Sequence, residues 1–239
     1  MAENIKAMIV SYKADIEFLN LLEDLGIKII FTKKHSNLPE PVDDHPDLVV
    51  RPLTKKIFLV DQDHFEYYQK ELRKYGIQTI PAKNKIGAVY PEDVLLNSVF
   101  FKGYCVGRKD AMDPRLLEFI YRNNMEVISV KQGYANCSSL IAGENLLITQ
   151  DKSIYKALLR YKLNVFLLPQ GGIDLPGYST GFIGGTYGMI NDTAMVFYGD
   201  IERFLHKKEL KKRLKEESIE IFCPEGIDFV DRGSMIGIY

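Results

Sequence analysis

Apolar residues recur along this chain in two alternating rhythms: a helical spacing of three to four, then a short consecutive run. In IEFLNLLEDLGIKIIF, the residues Ile16, Leu19, Leu22 and Leu25 predict one helical face, Gly26 a stop and IKIIF a strand. DHFEYYQKELRKYGIQTI repeats this with Phe65, Tyr68, Leu72 and Tyr75, ending at Gly76. DPRLLEFIYRNNMEVISV places Asp113 as a predicted N-cap and Pro114 at the first helical position. DKSIYKALLRYKLNVFLL and DIERFLHKKELKKRLKEESIEIF follow, with Asp151 and Asp200 as predicted caps.

Short strands are predicted before each helix, in LVVRPLTKKIFLV, VLLNSVFFKGYCVG, SSLIAGENLLIT and GFIGGTYGMINDTAMVFYG. The first helix has only KAMIVSYK before it, and the last stretch, FVDRGSMIGIY, supplies an unused strand. The pattern predicts an α/β fold of five strand-strand-helix-strand units of about 48 residues each, one domain over 1–239. Joining the termini would close it as a five-fold pseudosymmetric α/β propeller, protecting strand edges and creating an axis. The alternative is an ordinary open α/β sheet.

Apolar residues are 46% and charged residues 26% of the 239, as in soluble globular proteins, and the net charge of −1 speaks against nucleic acid as a partner. MAENIKAMIV has no apolar stretch of signal-peptide or membrane-span length, so a cytoplasmic protein without membrane contact is expected. The three cysteines argue against a disulfide framework. No His and Cys pair has the spacing of a structural zinc site, and neither a metal nor an organic cofactor is expected.

Candidate chemistry centres on Cys137, set among small and polar residues in KQGYANCSS. It reads either as a nucleophile or as a small buried hydrophobe. Cys105 and Cys223, flanked by apolar strand residues, read as core. His45 stands two residues before Asp47 in HPDLVV, and on a strand both would point the same way. His35, His64 and His206 read as solvated. Tyr90, Asn97, Tyr134 and Asn136 are candidate pocket residues, equally explicable as turn and pairing residues. GFIGGTYG lacks the lysine of a P-loop, so Gly184 and Gly185 are expected to allow close backbone approach at the axis. HKKELKKRLKEES mixes acid and base as a solvated helix face does, and Tyr67, Tyr68, Tyr155 and Tyr161 fall at helical spacing as packing residues.

Five such units, with HPDLVV, YPEDVLLN, VKQGYANCSSLI, GFIGGTYG and the terminal DRGS, resemble the pentein fold over nearly the whole chain, nearest a bacterial family with no assigned reaction. Arginine deiminases, dimethylarginine dimethylaminohydrolases and amidinotransferases share that fold, as does a non-catalytic ribosome anti-association translation factor. In the enzymes a cysteine thiolate attacks the guanidinium carbon, a thiouronium forms, a histidine moves protons and acids hold the cation. The resemblance implies Cys137 as nucleophile, His45 as general acid/base 92 residues earlier, and Asp231 as their acidic partner, in a chain circularly permuted relative to the dimethylarginine hydrolases. Asp47, Tyr90, Asn97, Lys131, Tyr134, Asn136, Gly184, Gly185 and Ser234 are the implied ligand-contacting residues. GFIGGTYG carries no acid where those enzymes have one, and Lys131 near Cys137 would repel a guanidinium, so a neutral or anionic ligand stays open. Two functions follow: a cysteine hydrolase or transferase acting on a C–N bond of a small amidine or guanidino compound at the axis, or a non-catalytic ligand-binding or protein-interaction scaffold.

Overall fold

A computed structural model describes residues 4–239, so the first three residues of MAENIKAMIV lie outside the described residues. β1 (Ala7–Val10), α1 (Ile16–Asp24) and β2 (Lys28–Phe31) come first. α2 (Pro46–Val49), a single turn, runs straight into β3 (Val50–Pro52), followed by β4 (Ile57–Val60), α3 (Phe65–Arg73) and β5 (Gln78–Pro81). Next come β6 (Val99–Phe101), β7 (Tyr104–Gly107), α4 (Pro114–Arg122) and β8 (Glu126–Ser129). β9 (Ser139–Ala142), β10 (Leu146–Thr149), α5 (Lys152–Arg160) and β11 (Val165–Leu167) form the fourth set. β12 (Tyr187–Asn191), β13 (Ala194–Phe197), α6 (Lys207–Glu216) and β14 (Glu220–Phe222) form the fifth, and β15 (Ile236–Ile238) ends the chain.

These strands make five separate three-stranded sheets, none closed on itself. In each, the central strand pairs antiparallel with one neighbour and parallel with the strand that follows the helix. The reason is local: a tight hairpin can only return antiparallel, whereas a helical crossover returns the chain parallel. The first sheet obeys the same rule with parts from both ends, since β15 pairs antiparallel with β1 through Ala7↔Ile238 and Ile9↔Ile236. Central strands such as β10 and β13 are buried throughout, while β2 and β8, which follow helices, expose their first and last residues as edges.

Helix capping follows the sequence at most positions. Asp113 accepts from Arg115 N, and Asp151 from Ser153 N and Ile154 N. Asp200 instead caps a short 3-10 turn at Ile201–Arg203, because α6 starts later, at Lys207 after His206. The face of α1 is also corrected: Phe18 and Leu22, one turn apart, are buried, whereas Ile16 is 62% exposed. Each crossover helix ends in a left-handed residue, with φ of +72° at Gly26, +71° at Gly76, +53° at Asn124, +56° at Lys162 and +57° at Ser218. Cys105 is core as expected, while Cys223 is only half-buried. Among the described residues, no helix is long and apolar enough to cross a membrane.

Candidate active site

The candidate residues do not lie on strands, as expected, but in the turns just before the first strand of each sheet. His45 precedes α2 as its N-cap residue, and Asp47 sits within that single turn, before β3. Asn97 comes just before β6, Cys137 before β9, Gly184 and Gly185 in a 3-10 turn before β12, and Asp231 and Ser234 before β15. Pro46 explains the first departure: its fixed φ suits the opening of a helical turn and interrupts strand pairing.

These turns converge. The Cys137 thiol donates to Asp47 Oδ2 at 2.9 Å and accepts from Asn97 Nδ2 at 3.2 Å. Asp47 Oδ2 also accepts from Asn136 Nδ2 at 3.0 Å and from Ser234 Oγ at 2.9 Å. Asn97 Oδ1 accepts from the backbone N–H of Asn136 and of Cys137, fixing the turn that carries the thiol. Behind this frame the buried Arg51 donates to Asn136 Oδ1 at 3.1 Å and packs on the Phe100 ring.

His45 joins the same group. One of its ring nitrogens, the Asp47 carboxylate and Cys137 Sγ lie within 4.8 Å of one another. His45 Nε2 is 3.8 Å from Asp231 Oδ1, a distance at which a charged ring is attracted but not hydrogen-bonded. Both ring nitrogens lack a hydrogen-bond partner among the described residues and remain available for proton transfer. Asp231 is itself held rigidly, accepting from Phe182 N at 2.8 Å and Gly233 N at 3.0 Å.

Glycines make the convergence sterically feasible. A Cβ on Gly184 would lie 2.2 Å from the Asn136 carbonyl oxygen, and one on Gly185 only 1.8 Å from Asp231 Oδ1. Gly233, at a φ of +75°, would place a Cβ 2.6 Å from that of His45.

The electrostatics favour a neutral thiol when no ligand is bound. Burial, then the charges of Asp47 and Asp231, push the Cys137 thiol well above its ordinary pKa. Burial also raises the Asp231 carboxyl, against the pull of His45. A cation entering between these groups would reverse both effects. The space for it is a cavity of about 110 Å³ touching His45, Cys137 and Asp231. Its walls are mostly apolar, from Val42, Tyr134, Leu175, Tyr178 and Phe182.

A family model described as "Family of unknown function (DUF6873)" matches residues 9–236. The chain belongs to that family. No curated protein matches it. Among solved structures, an amidinotransferase of the saxitoxin biosynthetic pathway from Microseira wollei is similar at 9% identity and a TM-score of 0.62, covering 100% of this chain and 95% of that one. The inosamine-phosphate amidinotransferase of Streptomyces griseus is similar at 11% identity and 0.58, covering 100% and 94%. A dimethylarginine dimethylaminohydrolase, seen as an adduct with S-methyl-L-thiocitrulline, is similar at 9% identity and 0.57, covering 92% of each. At such identities the likeness speaks for the fold, and the DUF6873 chain has the pentein fold.

In the DUF6873 chain, then, Cys137, His45, Asp47, Asp231, Asn97, Asn136, Ser234 and Tyr134 do come together. Gly184 and Gly185 lie behind the site as spacers, off the cavity wall. Lys131 is exposed and off the cavity wall, its carbonyl accepting from Tyr90 OH. Tyr90 is off the wall as well: its ring stacks on Tyr134, with centroids 5.9 Å apart. The segment Leu175–Phe182, none of whose residues is a candidate from the sequence, furnishes four wall residues. Its aromatic residues Tyr178 and Phe182, unusual in a turn-rich loop, were the available signal. The other three histidines all correct the solvated reading: His35 is fully buried, and His64 and His206 are half-buried, His206 Nε2 meeting the Gln170 carbonyl at 3.1 Å.

Proposed function

We propose that this protein is a cysteine-dependent hydrolase or transferase that cleaves a C–N bond of a small amidine- or guanidino-type compound through a covalent thiol intermediate. The observation that carries the reading is one cavity shared by the Cys137 thiol, His45 and Asp231, with Asp47 hydrogen-bonded to the sulfur. The five sheets are taken to surround a common axis, with this cavity at one end and the termini permuted relative to the dimethylarginine hydrolases.

A cationic amidine pairs with Asp231 on the cavity wall and offsets the charge of Asp47 beside the sulfur, which relieves the charge that holds the thiol neutral. The thiol proton passes to His45 as sulfur bonds to the amidine carbon. The C–N bond then breaks, and the departing amine takes that proton from His45. Water, or an acceptor amine, adds to the thiouronium carbon and gives a proton to His45; the C–S bond then breaks and that proton returns from His45 to sulfur, restoring the thiol. The small apolar cavity, with no lysine or arginine on its wall among the described residues, suits a compact planar cation better than a zwitterionic amino acid.

A second reading, a non-catalytic binding scaffold, draws support from the raised pKa of the free thiol. One comparison separates them: 2-chloroacetamidine against 2-chloroacetamide, which differ mainly in charge at the reacting end. The catalytic reading expects the amidine to inactivate faster, with a single adduct on Cys137 and none on Cys137→Ala. Equal rates with both reagents, no faster than with an ordinary free thiol, would favour the scaffold.

A further inference from the structure

Away from the Cys137 cavity, a second group of ionisable side chains is buried together. His35 lies in the loop after β2, Asp61 directly follows β4, and His64 directly precedes α3. His35 and Asp61 are 1% and 0% exposed. His35 Nε2 is 3.3 Å and His64 Nδ1 3.5 Å from the same oxygen, Asp61 Oδ2. The three donor atoms lie within 4.8 Å of one another. His35 Nε2, His64 Nδ1 and Asp61 Oδ1 have no hydrogen-bond partner among the described residues. Asp63 Oδ2 stands 3.9 Å from His35 Nε2, its other oxygen being paired with Lys85.

Buried polar atoms left unpaired in a group point to something between them. His64 Nδ1, whose ring proton is engaged by the Lys34 backbone through the other nitrogen, and the Asp61 carboxylate oxygen 3.5 Å away repel unless a cation bridges them. The spacing fits a metal ion: bonds of about 2.0–2.1 Å in a tetrahedron put neighbouring donors about 3.3 Å apart. Two imidazoles and a carboxylate are a donor set for zinc and its first-row neighbours, not for calcium or magnesium. We propose that His35, Asp61 and His64 bind a divalent cation of the zinc type, with Asp63 or water as fourth ligand.

The surroundings bear on which ring atoms bind. The Lys34 backbone engages the His64 ring, leaving Nδ1 as the free donor. Asn37 N donates to His35 Nδ1 at 3.2 Å, which keeps the ring proton on Nε2 in the metal-free form. Binding through Nε2 therefore moves that proton to Nδ1 and opens the Asn37 contact, a long one in a surface turn. The ion would brace a particular segment. His35 N donates to the Asp43 carbonyl, and Asn37 Nδ2 to that of Ile86. The same loop continues to His45, so the site fastens the approach to the catalytic histidine onto the start of α3.

His45, Asp47 and Cys137 are also close enough to hold an ion, so the test removes the sulfur first. The full chain carrying Cys137→Ala, stripped with EDTA, is titrated with Zn2+ by calorimetry. One equivalent should bind, and His64→Gln in that background should weaken it more than about 100-fold. X-ray absorption on the native chain with one equivalent of Zn2+ should show nitrogen and oxygen neighbours without sulfur, an outcome independent of whether the variants fold. Absence of stoichiometric binding to the Cys137→Ala chain, undiminished binding after His64→Gln, or a zinc–sulfur shell would each overturn the site.

Discussion

The Cys137 thiol donates to an Asp47 carboxylate oxygen 2.9 Å away. A carboxylate in that position works against thiolate formation. Asp47→Asn should therefore lower the thiol pKa. Iodoacetamide alkylation of Cys137 should shift to lower pH, each unit being a tenfold gain in thiolate. Reaction with a cationic amidine reagent should slow in the same variant, since the cation loses a counter-charge. An unchanged alkylation profile would show that Asp47 does not control the sulfur.

Asn97 acts in the opposite sense. Its amide donates to Cys137 Sγ and pulls the thiol pKa down against the stronger effect of burial. Asn97→Ala should shift iodoacetamide alkylation to higher pH, opposite in sign to Asp47→Asn. It also removes the acceptor for the N–H groups of Asn136 and Cys137, so the unfolding free energy measured in urea should fall by about 1–3 kcal/mol. A profile moving the same way in both variants would contradict these assignments.

How legible this molecule was from its sequence differs from element to element. Asp113 and Asp151 marked helix starts because capping is a local property, carried by one side chain and the next two or three N–H groups. Gly26 and Gly76 marked helix ends, but Asn124, Lys162 and Ser218 occupy the same left-handed position without glycine and gave no signal. His45, Cys137 and Asp231 were paired only through resemblance, since nothing local ties residues so far apart. Their placement on strands was wrong because a run such as HPDLVV suits a strand and a single helical turn equally well; Pro46 and the pairing partners decide. The cavity wall from Leu175–Phe182 was hidden because loop packing depends on long-range contacts that no periodicity records.

Gly184 offers a steric test of the convergence. An added methyl would meet the carbonyl oxygens of Asn136, Ser139 and Cys137 at 2.2, 2.5 and 2.6 Å, all backbone atoms that cannot rotate away. Gly184→Ala should lower the unfolding free energy by about 3 kcal/mol or more. Gly185→Ala meets the Asp231 side chain instead, so it should lower Cys137 reactivity toward a chloroacetamidine even where the fold survives. A urea midpoint for Gly184→Ala equal to that of the native chain would mean that these turns are not packed as described.

Asp151 links fold stability to the stretch bearing the thiol. It caps α5 through Ser153 and Ile154, and its other oxygen accepts from Gln132, five residues before Cys137. Burial pushes its carboxyl up, but the hydrogen bonds from Ser153, Ile154 and Gln132 outweigh this and hold it below the ordinary carboxylate value. With a folded pKa below the unfolded one, Asp151 binds fewer protons in the folded state across the interval between them. Its stabilisation is therefore complete above the unfolded value of about 3.9 and is lost as the pH falls through the folded value. Asp151→Ala should cost about 1–2 kcal/mol at neutral pH. Urea unfolding of both proteins from pH 7 down to about pH 2.5 should show the gap narrowing only below about pH 4. A gap that stayed constant down to the acid limit would place the stabilisation in packing and not in the ionised cap.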